Sequence, residues 1–203
     1  MVVGIIVKQP VCQSSQVMKR LFDFILSLLA LLVLFPIFLI VALMVRFTSP
    51  GPIVYWSDRI GRFNQTFKMP KFRSMLINTP AVATHLLQDP SKYLTPIGGF
   101  LRKSSLDEIP QLWSIVKGDM SFVGPRPALF NQLDLIQMRQ QSGVHLVKPG
   151  LTGWAQINGR DELPLSQKVA LDTAYLKKQS FWFDIKIIFL TVIKVLRRDN
   201  VTH

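Results

Sequence analysis

An uncharged run from Phe24 to Val45, FILSLLALLVLFPIFLIVALMV, constrains this chain more than any other feature. As one straight helix it would be about 33 Å long, enough to cross a hydrocarbon core of about 30 Å. A secretory signal fits less well, because no small-residue cleavage site follows and Arg46 comes directly after the run. Pro36 removes a helical hydrogen bond and crowds the preceding turn, so it kinks or breaks the helix. The legs Phe24–Phe35 and Ile37–Val45 would then be about 18 Å and 14 Å long, each reaching roughly the middle of a bilayer. Lys19 and Arg20 stand at one end and Arg46 at the other. That pattern suits a re-entrant hairpin hinged at Pro36 with both ends on one basic, cytoplasmic side. Spanning helices also carry proline kinks, so both topologies stay open at this point.

The 203 residues suffice for one domain with a core. We expect a head over 1–18, a membrane-inserted segment over 19–47 and a folded remainder over 48–203. Lysine and arginine number 24 against 12 acids, a formal charge of +12 that favours anionic partners. Hydrophobic residues make up 49 % and the mean hydropathy is +0.29, which fits membrane lipid better than nucleic acid. Cys12 is the single cysteine, so no internal disulfide forms. His85, His145 and His203 are scattered and argue against zinc. A metal here would be a hard cation held by carboxylates and substrate phosphates, which points to Mg2+.

Beyond the stop signal Thr48–Pro52, the β-branched and aromatic residues of Ile53–Met75 predict a short β-hairpin carrying basic side chains. Asn78–Ser91 reads as a helix or a loop. Asn131–Gln141 and Leu165–Lys178 read as helices, and Val147–Arg160 is glycine-rich. Ser180–Arg198 reads as a core helix with one wet face or, by preference, as an amphipathic helix lying in the headgroup plane, with Asp184, Thr191, Lys194 and Arg198 on one face. The fold class is therefore mainly α with a small β-hairpin, monotopic in the membrane.

The segment Ser104–Pro127, SSLDEIPQLWSIVKGDMSFVGPRP, holds the chemistry. Ser105 and Glu108 fit a capping box, but Pro110 would then fall too deep in the helix. With Asp107 or Glu108 at the cap, Pro110 lies in the tolerated first turn. Ile109, Leu112, Trp113 and Val116 then form a buried stripe ending at Lys117-Gly118. Both acids would sit at the positive end of the helix dipole, which favours their ionised forms. Facing different ways, they suit different jobs, and an ionised carboxylate can attack phosphorus to form an acyl phosphate. In Gly124-Pro125-Arg126-Pro127 the prolines hold the backbone so that Arg126 can clamp phosphate oxygens. Lys71, Arg73 and Arg102 are further cations able to join that pocket. Lys148 flanks the glycine-rich loop, which can present backbone N–H groups to phosphate, while Trp154 reads as a stacking platform or a core plug.

KRLFDFILS leading into a proline-interrupted anchor, KFRSM, LRKSSLDEIPQLWSIVKGDMSFVGPRP and KPGLTGWAQINGR together resemble the bacterial sugar transferase family, the monotopic phosphoglycosyl transferases, over about Lys19 to Arg198. The resemblance implies a UDP-sugar donor, a polyprenyl (undecaprenyl) phosphate acceptor and a magnesium requirement. It implies that Asp107 attacks the sugar-linked phosphate and releases UMP, and that the covalent phosphosugar then passes to the lipid. By the same motifs Asp107 would also meet the metal, Glu108 would complete the catalytic dyad, and Gly124, Pro125 and Arg126 would bind phosphate, joined by Arg102, Lys71 and Lys148. It implies a cytoplasmic, membrane-associated catalytic domain over 48–203 at the bacterial inner membrane, and the small single-domain type. The family hinge is Ser-Pro; here Phe35-Pro36 stands in its place, without the serine's hydrogen bond. A homodimer joins the expected partners, since the apolar stripes could pack against another copy.

Two rivals stand beside this reading. A membrane scaffold or nucleic-acid tether accounts for the charge but not for the acids beside GPRP. A plain glycosyltransferase would bind its metal through D-x-D, a motif absent from this chain, and would release UDP.

Overall fold

The computed structural model describes residues 13–80, 82, 89–159 and 163–197. Cys12, His85, Arg160, Arg198, His203 and part of the Asn78–Ser91 segment lie outside them. Helix α1 (Gln13–Thr48) contains Pro36 and stays helical on both sides of it. By length and composition it can cross a membrane. Its two arms rest against one folded body. On the first arm Arg20 donates to the Ile115 and Val116 carbonyls and Asp23 accepts from the Phe122 N–H, while Val41 and Val45 of the second arm enter the main core. The opposite surface is apolar and exposed, with Leu21, Ile25, Leu32, Val33, Ile40 and Leu43 outward. Lys19 and Arg20, expected as charges guarding a membrane edge, instead point inward, because buried carbonyls and Asp184 need donors there.

Strands β1 (Val54–Ile60) and β2 (Thr66–Phe72) form the expected antiparallel hairpin, in register from Val54↔Phe72 to Ile60↔Thr66. Met69 and Phe72 face the core with Leu101, Leu112, Ile115 and Met120. Burying a side chain such as Phe72 contributes about 2–3 kcal/mol. Helix α2 (Gly98–Lys103) leads through Ser105, in a left-handed conformation with φ 57°, into a 3-10 turn over Leu106–Gln111 and then helix α3 (Leu112–Lys117).

A second sheet was not expected. Strand β3 (Ser121–Val123) pairs in parallel with β4 (Gly150–Thr152), inside the glycine-rich segment. Helix α7 (Phe181–Arg197) packs on that pair, with α5 (Trp154–Ile157) against α7 and α6 (Leu165–Lys178), and α4 (Leu133–Gln141) against α6. Asp184 and Ile187 are buried and Thr191 bonds Thr152 at 2.7 Å, whereas Trp182 is 78 % exposed with Phe189, Val192 and Val195 beside it. Of the polar stripe, Asp184 meets Lys19 and Tyr175 on the inner side and Thr191 meets Thr152, while Lys194 is exposed.

Candidate active site

Ser105 takes the cap position before the 3-10 turn, but its side chain makes no capping bond. The capping box is thus unformed, and the Glu108 carboxylate is used elsewhere. Its Oε1 accepts from Lys71 Nζ and from Arg126 Nη2, each at 2.9 Å. Lys71 comes from the end of β2, between buried Pro70 and Phe72. Arg126 follows β3, so two sheets and the 3-10 turn meet at one carboxylate. The apolar stripe needs one correction. Ile109, Leu112 and Ile115 are buried, but Trp113 is 51 % exposed, because the turn changes from 3-10 to α pitch at Leu112 and rotates it outward.

Asp107 is 7 % exposed and accepts no hydrogen bond from the described residues. Burial pushes its carboxyl up to about 6, aided by Glu108 and opposed by Lys71, Arg102 and Arg126. The expectation that a helix dipole would favour ionisation of both acids therefore fails at Asp107. A six-residue 3-10 turn offers little dipole, and desolvation exceeds it. Burial also pushes Glu108 up, but the charges and hydrogen bonds of Arg126 and Lys71 outweigh it and hold Glu108 well below the usual range. Lys71 is lowered by burial, with Glu108 acting against that shift. Two neighbouring acids thus occupy opposite electrostatic states.

Arg102 acts on Asp107 through its charge and has Nη1 3.4 Å from Met75 Sδ. Arg73 does not join the cluster. Its guanidinium donates to the Ser49, Pro50 and Pro52 carbonyls and pins the exit of α1. Lys148 is also elsewhere. The charges around it are Arg20, Arg62, Asp23 and Asp119, and none belongs to the acid pair.

The glycines of the loop serve packing between backbones. A Cβ on Gly124 would lie 2.3 Å from the Lys148 oxygen, one on Gly150 would lie 2.1 Å from the Gly124 nitrogen, and one on Gly153 would lie 2.1 Å from the Gly124 oxygen. Gly124 N–H donates to Thr152 O and Gly150 N–H to Pro125 O, each at 2.9 Å. The loop therefore spends these groups on pairing β3 with β4, and so fixes where Arg126 begins. Trp154 plugs a core, with its ring centroid 5.2 Å from that of Phe183.

Sequence reading missed the ions beneath the loop. Arg139 of α4 pairs with Asp172 of α6 at 3.0 and 2.6 Å. Their signal was present: Asp172 interrupts the buried stripe Val169–Tyr175, and Arg139 follows buried Leu135 by one turn. Among the described residues no three His, Cys, Asp or Glu side chains converge on a common point. An all-protein metal cage is thus not what these residues make. Magnesium commonly uses one or two carboxylates plus substrate phosphates, and the Asp107 carboxylate, which accepts no hydrogen bond among the described residues, fits that habit.

The model of the bacterial sugar transferase family matches residues 14–198. The chain belongs to the bacterial sugar transferase family. It is 40 % identical over 193 residues to the UDP-glucose:undecaprenyl-phosphate glucose-1-phosphate transferase of Escherichia coli, covering 91 % of this chain and 41 % of that protein. It is 38 % identical over 207 residues to the undecaprenyl-phosphate galactose phosphotransferase of Salmonella typhimurium, covering 93 % and 42 %. It is 40 % identical over 190 residues to the exopolysaccharide production protein ExoY of Sinorhizobium fredii, covering 86 % and 83 %. This family member thus spans about two fifths of the length of the first two relatives. It spans most of the third.

Proposed function

We propose that this protein transfers a sugar 1-phosphate from a UDP-sugar to undecaprenyl phosphate and releases UMP. The observation that carries the reading is the division between the two acids. Asp107 is buried and accepts no hydrogen bond among the described residues, while Glu108 is committed to two cations. In the first step an Asp107 oxygen attacks the phosphorus bearing the sugar, and the bond from that phosphorus to the UMP oxygen breaks with its electron pair leaving on UMP. In the second, a phosphate oxygen of the lipid attacks the same phosphorus and the Asp107 carboxylate leaves, giving a diphosphate-linked sugar. With a value of about 6, Asp107 is mostly ionised at neutral pH yet poorly solvated, which suits a nucleophile.

Arg126 and Lys71 face the donor's diphosphate, held in place by Glu108, and Arg102 adds charge from the Asp107 side. Mg2+ would be held by Asp107 together with substrate phosphates, and would supply charge neutralisation at the diphosphate. The site works at the cytoplasmic face of the bacterial inner membrane, as an early step in building a surface glycan. The exposed apolar faces of α1 and α7 support insertion of one and interfacial binding of the other. Contact of both α1 arms with one body supports a re-entrant course, since a spanning helix would carry one arm away to the far side.

Incubating detergent-purified protein with UDP-glucose, UDP-galactose and further UDP-sugars, undecaprenyl phosphate and magnesium tests the reaction. Lipid-dependent UMP from one donor is the expected result. Release of UDP would replace it with plain glycosyl transfer.

A further inference from the structure

We propose that Arg139, with Asp172, is a positioning residue that aims Arg126; the proposal rests on Arg126 binding the donor's phosphates. Four successive carbonyls from Pro125 to Ala128 each accept a hydrogen bond from a different donor. Pro125 O takes the Gly150 N–H at 2.9 Å, Arg126 O takes Arg139 Nη1 at 2.7 Å, Pro127 O takes Arg59 Nη1 at 3.2 Å, and Ala128 O takes the Ile60 N–H at 2.9 Å. The prolines set φ at 125 and 127, and Pro127 confines Arg126 to extended backbone without fixing where its carbonyl points. The bond to the Arg126 carbonyl sets that direction, and it comes from Arg139.

The donor is itself rigid. Arg139 Nε and Nη2 both reach Asp172 Oδ2, and Asp172 is 1 % exposed. A planar guanidinium held at one edge has its remaining donor aimed in a fixed direction. A buried ion pair stabilises a fold little, because desolvation offsets its attraction. What this pair supplies is geometry: α4 and α6 are joined, and the joint ends on the backbone of the residue whose side chain meets Glu108 at 2.9 Å.

A double-mutant cycle read by UMP binding to the full chain in detergent separates aiming from mere support. Arg126→Ala removes the side chain but keeps the carbonyl that Arg139 holds. Arg139→Lys keeps the charge opposite Asp172 and loses the fork that reaches both partners. We expect Arg126→Ala and Arg139→Lys each to weaken UMP binding roughly tenfold or more, and the double variant to be no weaker than Arg126→Ala alone. If Arg139→Lys fails to fold, the paired replacement Arg139→Met with Asp172→Leu leaves no lone buried charge and should give the same loss. Folded Arg139 variants with wild-type UMP affinity would overturn the proposal, as would additive losses in the double variant. Unchanged affinity in Arg126→Ala, or no UMP binding by the wild type, would instead remove the reading beneath it.

Discussion

Replacing Asp107 by asparagine should abolish UMP release and at the same time stabilise the protein. An amide cannot form the acyl phosphate. The carboxyl titrates near 6 when folded, against 3.8 ordinarily. Between those values the unfolded chain gives up its proton first, so stability falls as pH rises through that window and stays lower above it. Asp107→Asn should therefore be more stable than the wild type by on the order of 2 kcal/mol at pH 7, with little gain below pH 4. Thermal melts at the two pH values check this, and a lower Tm at pH 7 would refute the burial argument. Turnover of the wild type should rise with pH across about 6. Glu108 carries the opposite sign. Its depressed value adds stability above the ordinary 4.5 that is lost as pH falls below it. Glu108→Gln leaves Lys71 and Arg126 partly buried without their counter-charge, and denaturant unfolding should show a loss of about 3 kcal/mol. The pairing of chemistry-bearing residues was legible in the motif; which acid takes Lys71 and Arg126 was not, because it depends on where Lys71 arrives from a strand far away in sequence.

Elements differ in how openly they announce themselves. The β1–β2 hairpin follows from local patterning, whereas β3 and β4 are three residues each and one begins with glycine, so nothing local marks them as strands. Gly124 shows what the pairing demands. Its backbone is not left-handed, yet a Cβ would meet the Lys148 oxygen at 2.3 Å. Gly124→Ala should cost about 2 kcal/mol or more by forcing β3 from β4, and should lower turnover further than it lowers Tm because Arg126 moves with the strand. Helix α7 was legible as amphipathic but its protein partners were not, since an acid and a threonine look solvent-bound until Lys19, Tyr175 and Thr152 are placed against them. Trp182→Glu with Phe189→Glu should leave stability within about 0.5 kcal/mol while weakening binding to anionic lipid vesicles more than tenfold. Vesicle co-sedimentation at unchanged levels would show that this face does not meet the membrane.

On the scale of the molecule, α1 is both anchor and wall. Its inner side is tied to β3 and α3 by Lys19, Arg20 and Asp23, and Arg73 holds its exit. If the chain is re-entrant, cysteines at Val17 and Thr48 in a Cys12→Ser background should both react with an impermeant maleimide in inverted membrane vesicles. Reaction of one alone would mean a span. By itself the sequence determined the apolar anchor, the hairpin, the family and the cluster of acids and arginine, because each is written in contiguous residues whose period, charge or order carries the signal. Only the tertiary structure decided that Glu108 is the acid that takes Lys71 and Arg126, that Arg73 and Lys148 serve elsewhere, that the glycines pack strands, and that Arg139 and Asp172 underlie Arg126. Those outcomes depend on desolvation and on partners distant in sequence, and neither exists until the chain has folded.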